Sequence, residues 1–146
     1  MYEYISLDGL TILVGTNARE NDTLTRSARP TDTWVHSADG PGAHVVTSGT
    51  SVETLKDAAV LAAHHSRAKG QKKVSVHVAR ACHVIPCKQT GQVRVETPGT
   101  TRTVFMNKEL ERLKRLLGVR RPVGQVELRD VPLVLTRVRN RVPVVA

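Results

Sequence analysis

Aromatic residues are scarce in this chain: one tryptophan, two tyrosines and one phenylalanine make up 3% of its 146 residues. A core with so few rings has to be filled by valine, leucine and alanine, which makes the position of each ring informative. The two cysteines, Cys82 and Cys87, are too few for a disulfide framework. A lone Cys-x4-Cys pair also falls short of the four ligands of structural zinc. No apolar run approaches the ~20 residues that cross a bilayer. The first ten residues lack a basic segment followed by an apolar stretch, so the expectation is a cytoplasmic protein without a secretory leader or membrane partner.

Catalytic signatures are missing as well. No Gly-x-Ser-x-Gly turn presents a serine, and a strand would point the neighbours Cys82 and His83 apart. Gly40-Pro41-Gly42 is not followed by the Gly-Lys-Ser/Thr of a phosphate loop. Six histidines raise the question of zinc, yet His36, His44, His64 and His65 have no His-Glu-x-x-His spacing or acidic cluster to complete a site. The expectation is a binding protein rather than an enzyme, with no cofactor, catalytic residue or metal. A small metal-dependent enzyme using the histidines is the remote alternative.

Positive charge is abundant. The net charge is +9, and it is polarised: residues 1–63 carry net −4, residues 64–100 net +6 and residues 101–146 net +7. Such asymmetry suits a polyanionic partner, because each neutralised phosphate releases condensed counterions. A merely solvated basic surface has the same composition.

A length of 146 residues fits one domain. Tyr2 to Leu7 and Leu10 to Val14 read as a hairpin around Asp8-Gly9. A polar loop follows over Asn17 to Asn21, then a short helix over Asp22 to Ala28 and a turn at Arg29 to Asp32. Thr33 to Ser37 and Ala43 to Thr47 read as a second hairpin. The main packing helix is expected over Val52 to Arg67, with Thr50 and Glu53 in capping-box spacing and Val52, Leu55, Ala59, Ala62 and Ser66 on its buried stripe. Val74, Val76 and Val78 alternate as in a half-buried strand. Gln92 to Thr97 and Thr101 to Phe105 suggest a further hairpin, and Asn107 a cap for a carboxy-terminal helix through Leu117. The tail from Val119 alternates Val/Leu with Arg around prolines, as edge strands or an arm would. The class expected is α/β of the α+β type, with a mixed, mostly antiparallel sheet.

Three ordered stretches resemble one known family. Gly9 to Thr25 holds a strand, a glycine and an Asn-containing loop. Asp32-Thr33-Trp34-Val35-His36 is followed by Pro41-Gly42-Ala43-His44. Ala58 to Lys69, with its Ser66-Arg67-Ala68-Lys69 end, leads to Lys72-Lys73-Val74. Together they are similar to the RNA-binding domain of the NFACT ribosome-quality-control proteins, here resembling a free-standing copy. Val35, Ala43, His65 and Val78 stand where the family favours Phe, Ser, Tyr and Tyr. The resemblance implies an RNA-binding module for transfer RNA, ribosomal RNA or the ribosome, serving translation quality control or delivering RNA to a modifying enzyme. It places that module at residues 1–106, with a basic helix and arm at 107–146. A protein-interaction adaptor docking on such a partner is the alternative.

The chemistry of the residues accords with that role. Trp34 and His36 share one face of a strand, with His44 across from them, and rings and imidazoles stack on unpaired bases. Arg67, Lys69, Lys72 and Lys73 place four cations in seven residues for phosphate, with Arg80 and Lys88 beyond them. Asn17, Arg19 and Asn21 offer hydrogen bonds to sugars or base edges.

Overall fold

The computed structural model describes residues 1–97 and 99–123. Strands β1 (Tyr2–Ile5) and β2 (Thr11–Val14) form the first hairpin, with Gly9 in the left-handed region at φ 82°, where a side chain would be strained. Asn17 then leaves the expected loop to cap α1 (Ala18–Ser27), its side-chain oxygen accepting from Glu20 N at 2.9 Å. The helix starts at Ala18 instead of Asp22. Its only buried residues are Asn21, Leu24 and Thr25, too polar a stripe to reveal the first turn by periodicity.

Asp32, fully buried, accepts from Arg29 N at 2.8 Å and from Arg29 Nε at 3.1 Å, which closes the turn into β3 (Thr33–Ser37). β3 pairs with β4 (Val45–Thr47) as expected. Helix α2 (Val52–His64) is capped by Ser51, which accepts from Thr54 N at 3.1 Å. The Thr50/Glu53 box does not form, because Glu53 is drawn to Arg112 at 2.9 Å. The helix also stops three residues before Arg67. Ser66 turns its hydroxyl back to Ala63 O at 2.7 Å and bridges Gly42 instead of continuing the spiral. Val52 is 60% exposed rather than buried, while Ala58 to Ala63 are all buried, since α2 is covered on two sides.

Beyond it come β5 (Lys73–Arg80), β6 (Val84–Pro86), β7 (Val93–Val95) and β8 (Thr100–Phe105). Cys82 and His83 lie in a short 3-10 turn rather than a strand. The hairpin expected between residues 92–97 and 101–105 is not formed. β7 pairs with β6 in a separate two-stranded sheet, and β8 returns to pair with β5. The exchange depends on Gly99, where a Cβ would lie 1.9 Å from Val78 O. A 3-10 turn at Met106–Lys108 takes Asn107 away from the cap, and α3 (Leu110–Gly118) starts after it. Within α3, Leu116 is buried but Leu110 is 60% exposed. Arg121–Pro122 form β9 on the edge of β1, and the rest of the expected arm, 124–146, lies outside the described residues.

The main sheet has the order β8-β5-β3-β4-β2-β1-β9 and every described pairing is antiparallel, an α+β fold. One face carries α2 and α3 over Tyr4, Ile12, Val35, Val45, Val76 and Leu116. The other carries α1 and the β6–β7 hairpin over Leu13, Leu24, Trp34, Val46 and Val84. No described helix is long and apolar enough to cross a membrane.

Candidate nucleic-acid interface

Strand alternation sends Trp34 and His36 of β3 to the α1 face, and register places His77 of β5 directly opposite His36. Above this pair opens a cleft of about 880 Å³. Its walls are the start of α1 at Asn17, the Gly40-Pro41-Gly42 turn, Ser66-Arg67, and the Thr90–Gln92 tip of the β6–β7 hairpin. The tip rests on α1 through Gly91, at φ 84°, where a Cβ would meet Ala18 Cα at 2.9 Å.

Trp34 and His36 stack at 5.5 Å between centroids and 15° between planes. His44 meets them edge-on at 5.3 and 5.2 Å. The three form one cluster, but they are not equally accessible. Trp34 and His44 are 2% exposed, so they support the floor, whereas His36 is half-buried and His77 exposed. Trp34 Nε1 is buried with no hydrogen-bond partner among the described residues, a costly state for a donor.

Burial holds the His36 imidazole below its ordinary range. Burial, reinforced by repulsion from His36, pushes His44 down to about 4. Both rings are therefore neutral at pH 7, each able to give one hydrogen bond and accept another. Nδ1 of His44 is already engaged with Thr25 Oγ1 at 2.8 Å.

Asn21 is a brace rather than an open hydrogen-bonding group. It is buried, its Oδ1 accepts from His44 N at 3.0 Å, and its Nδ2 donates to Gly42 O at 3.3 Å. Asn17 lines the cleft while its oxygen caps α1. Arg19 is exposed on α1 and does not line the cleft.

Arg67 reaches the cleft, and Lys69, Lys72 and Lys73 follow it around an exposed turn closed by Gln71 N donating to Ala68 O at 2.9 Å. None of these four makes a salt bridge among the described residues. Lys88 sits on the hairpin tip beside the lip residue Thr90. Arg80 is not brought together with them. It stands opposite Thr33 at the far end of β5, roughly 23 Å of strand from Lys73. His77 and the lip Thr90–Gln92 escape sequence reasoning: an exposed strand position was visible, but only register pairs it with His36.

Beyond residue 100, three described arginines are held in ion pairs. Asp57, with no exposure, accepts from Arg112 Nη1 at 2.7 Å, from Arg115 Nη2 at 2.6 Å and from Leu7 N at 2.8 Å. Arg112 also bonds Glu53 and Glu109, and against the opposing effect of burial the carboxylates of Asp57, Glu53 and Glu109 raise its pKa. Arg121 pairs with Glu3. No group of three or more His, Cys, Asp or Glu among the described residues is placed to hold a metal.

The family model described as NFACT protein RNA binding domain matches residues 1–96. The Rqc2 homolog RqcH of Bacillus subtilis is 45% identical over 84 residues, covering 56% of this chain and 15% of that protein. Its counterpart from Streptococcus suis is 42% identical over 83 residues, 53% of this chain and 15% of that protein. Among solved structures, the C-terminal of the fibronectin/fibrinogen-binding protein from Streptococcus suis superposes with a TM-score of 0.70 at 31% identity, covering 80% of this chain and 47% of that one. The chain thus spans a small part, 15%, of the curated relatives it matches.

Proposed function

This chain belongs to the NFACT protein RNA binding domain family, and we propose on that basis that it binds RNA, without turnover, in ribosome quality control. The observation that carries this reading is the adjacency of a histidine-floored cleft to a turn of cations that form no salt bridge among the described residues. Phosphates bind Arg67, Lys69, Lys72 and Lys73, which supply salt-dependent affinity. An unpaired base enters the cleft against His36 and His77. The neutral imidazole of His36 suits a base edge better than a phosphate. The reading extends to a cytoplasmic setting and to structured RNA with unpaired segments, transfer RNA or ribosomal RNA.

The test is fluorescence anisotropy with labelled transfer RNA, a single strand and a blunt duplex. The wild-type protein is expected to favour the first two and to lose roughly 50- to 150-fold in affinity between ~50 and ~200 mM salt, as four phosphate contacts imply. Lys72→Glu with Lys73→Glu should abolish retention at the higher salt with an unchanged melting temperature. Salt-independent binding, or full retention by the double variant, refutes the site.

A further inference from the structure

Outside the cleft, no described helix or hairpin covers the outer end of the α1 face of β5 and β8, where Lys73, Thr103 and Phe105 are exposed. His77, Ser75 and Lys73 alternate along β5, and register sets Thr101, Thr103 and Phe105 of β8 opposite them. The row continues the cleft floor, since His77 belongs to both. Thr101 Oγ1 lies 3.4 Å from His77 Nδ1. At the far end Phe105, the chain's one phenylalanine, is left 40% exposed. Lys73 Nζ sits 5.7 Å and Lys108 Nζ 5.3 Å from its ring centroid. Neither strand contains an acidic residue.

We infer that this strip is a second RNA subsite, in which single-stranded RNA leaves the cleft over His77 and stacks a base on Phe105 while Lys73 and Lys108 take the flanking phosphates. The inference rests on the RNA reading of the cleft and goes beyond it. A base-paired helix hides its base faces, so an open aromatic platform selects an unpaired strand. Cations beside the ring serve the same ligand, because a nucleotide presents a flat face and an anion within a few ångströms of each other. From His77 to Lys73 the strand runs roughly 13 Å, so a strand whose first nucleotides fill the cleft must be several nucleotides longer to reach Phe105. Serine and threonine hydroxyls between the two ends, Ser75 and Thr103, offer hydrogen bonds along the path. The core of a protein docking site is depleted in lysine, whereas Phe105 has two lysines against its ring.

The experiment compares an oligouridylate trinucleotide with an octanucleotide, following both anisotropy and the emission of Trp34, the only tryptophan and a support of the cleft floor. The octanucleotide should bind the wild-type protein more tightly. Phe105→Ala should lower octanucleotide affinity about tenfold, leave trinucleotide affinity and the Trp34 response unchanged, and be rescued by Phe105→Tyr. Lys108→Glu, at an exposed side chain, should reproduce the length-dependent loss if Phe105→Ala proves unstable by thermal melting. Undiminished octanucleotide affinity in both variants overturns the second subsite and leaves the cleft reading standing. Equal loss for both lengths also overturns it. No binding of either oligonucleotide by the wild-type protein overturns both readings.

Discussion

The face between α2 and α3 and the turn from α2 into β5 are both rich in cations, and they use them in opposite ways. On the first, Arg112 and Arg115 converge on the buried Asp57, with Glu53 and Glu109 alongside. On the second, Arg67, Lys69, Lys72 and Lys73 point outward with no acid to answer them among the described residues. The acidic first half of the chain is thus partly consumed in neutralising the basic last part. The net charge counts both groups alike; folding separates cations that hold the protein together from cations available to a ligand.

The largest effect should come from breaking the neutralised side. Arg112→Ala combined with Arg115→Ala strips the buried Asp57 of both its arginine partners and is expected to cost roughly 3 kcal/mol in urea unfolding, because the carboxylate then has no countercharge among the described residues. RNA affinity of the folded fraction should hardly change; a large loss of RNA binding with intact stability would reverse the assignment of the two regions.

Acidification should strain the cleft side. His44 and His65 are pushed down to about 4, both chiefly by burial. Unfolded, such imidazoles protonate near ~6.5, so between these values the unfolded chain holds more protons than the folded one. Stability is therefore complete above about pH 6.5 and lost as pH falls toward 4, by roughly 3 kcal/mol for each ring. A urea midpoint series across that window, repeated with His44→Gln, should show a shallower fall in the variant. An identical slope would mean that His44 is not held neutral.

Two exposed lysines make a direct comparison. Lys69→Glu, beside the cleft, should weaken transfer-RNA binding about tenfold, as expected for one charge-assisted contact. Lys114→Glu, on α3, should stay within about twofold if only the turn faces RNA. Equal losses would show that α3 also contributes. A modest stability effect is expected from Asn17→Ala, which removes the α1 cap and should cost about 1 kcal/mol in thermal or urea unfolding. A loss of RNA affinity beyond that change would make Asn17 a ligand contact as well as a cap.

Much of this fold was legible in the residues. Gly9 and the Gly40-Pro41-Gly42 turn marked the first two hairpins, and alternating valines marked β5, because turn chemistry and a period of two act locally. The failures share one cause, long-range pairing that overrides a local signal. Residues 92–97 and 101–105 look like hairpin partners around Pro98-Gly99, yet each finds a strand from elsewhere. Glu53 has the spacing of a capping residue, yet Arg112, distant in sequence, offers it a charge. In the candidate site, the cations of the turn and the shared face of Trp34 and His36 could be read directly. The burial of Asn21 and His44, the separation of Arg80 and the arrival of His77 could not.

Composition, periodicity and ordered motifs by themselves determined the α+β class, the RNA-binding-domain family and the sign of the charge, since each depends on residue identity and near-neighbour spacing. Only the tertiary structure decided which cations are already paired, which rings keep an accessible face and which histidines meet across β3 and β5. Those properties depend on distances between groups far apart in the chain, and electrostatic and packing energies respond to distance in space, not to separation in sequence.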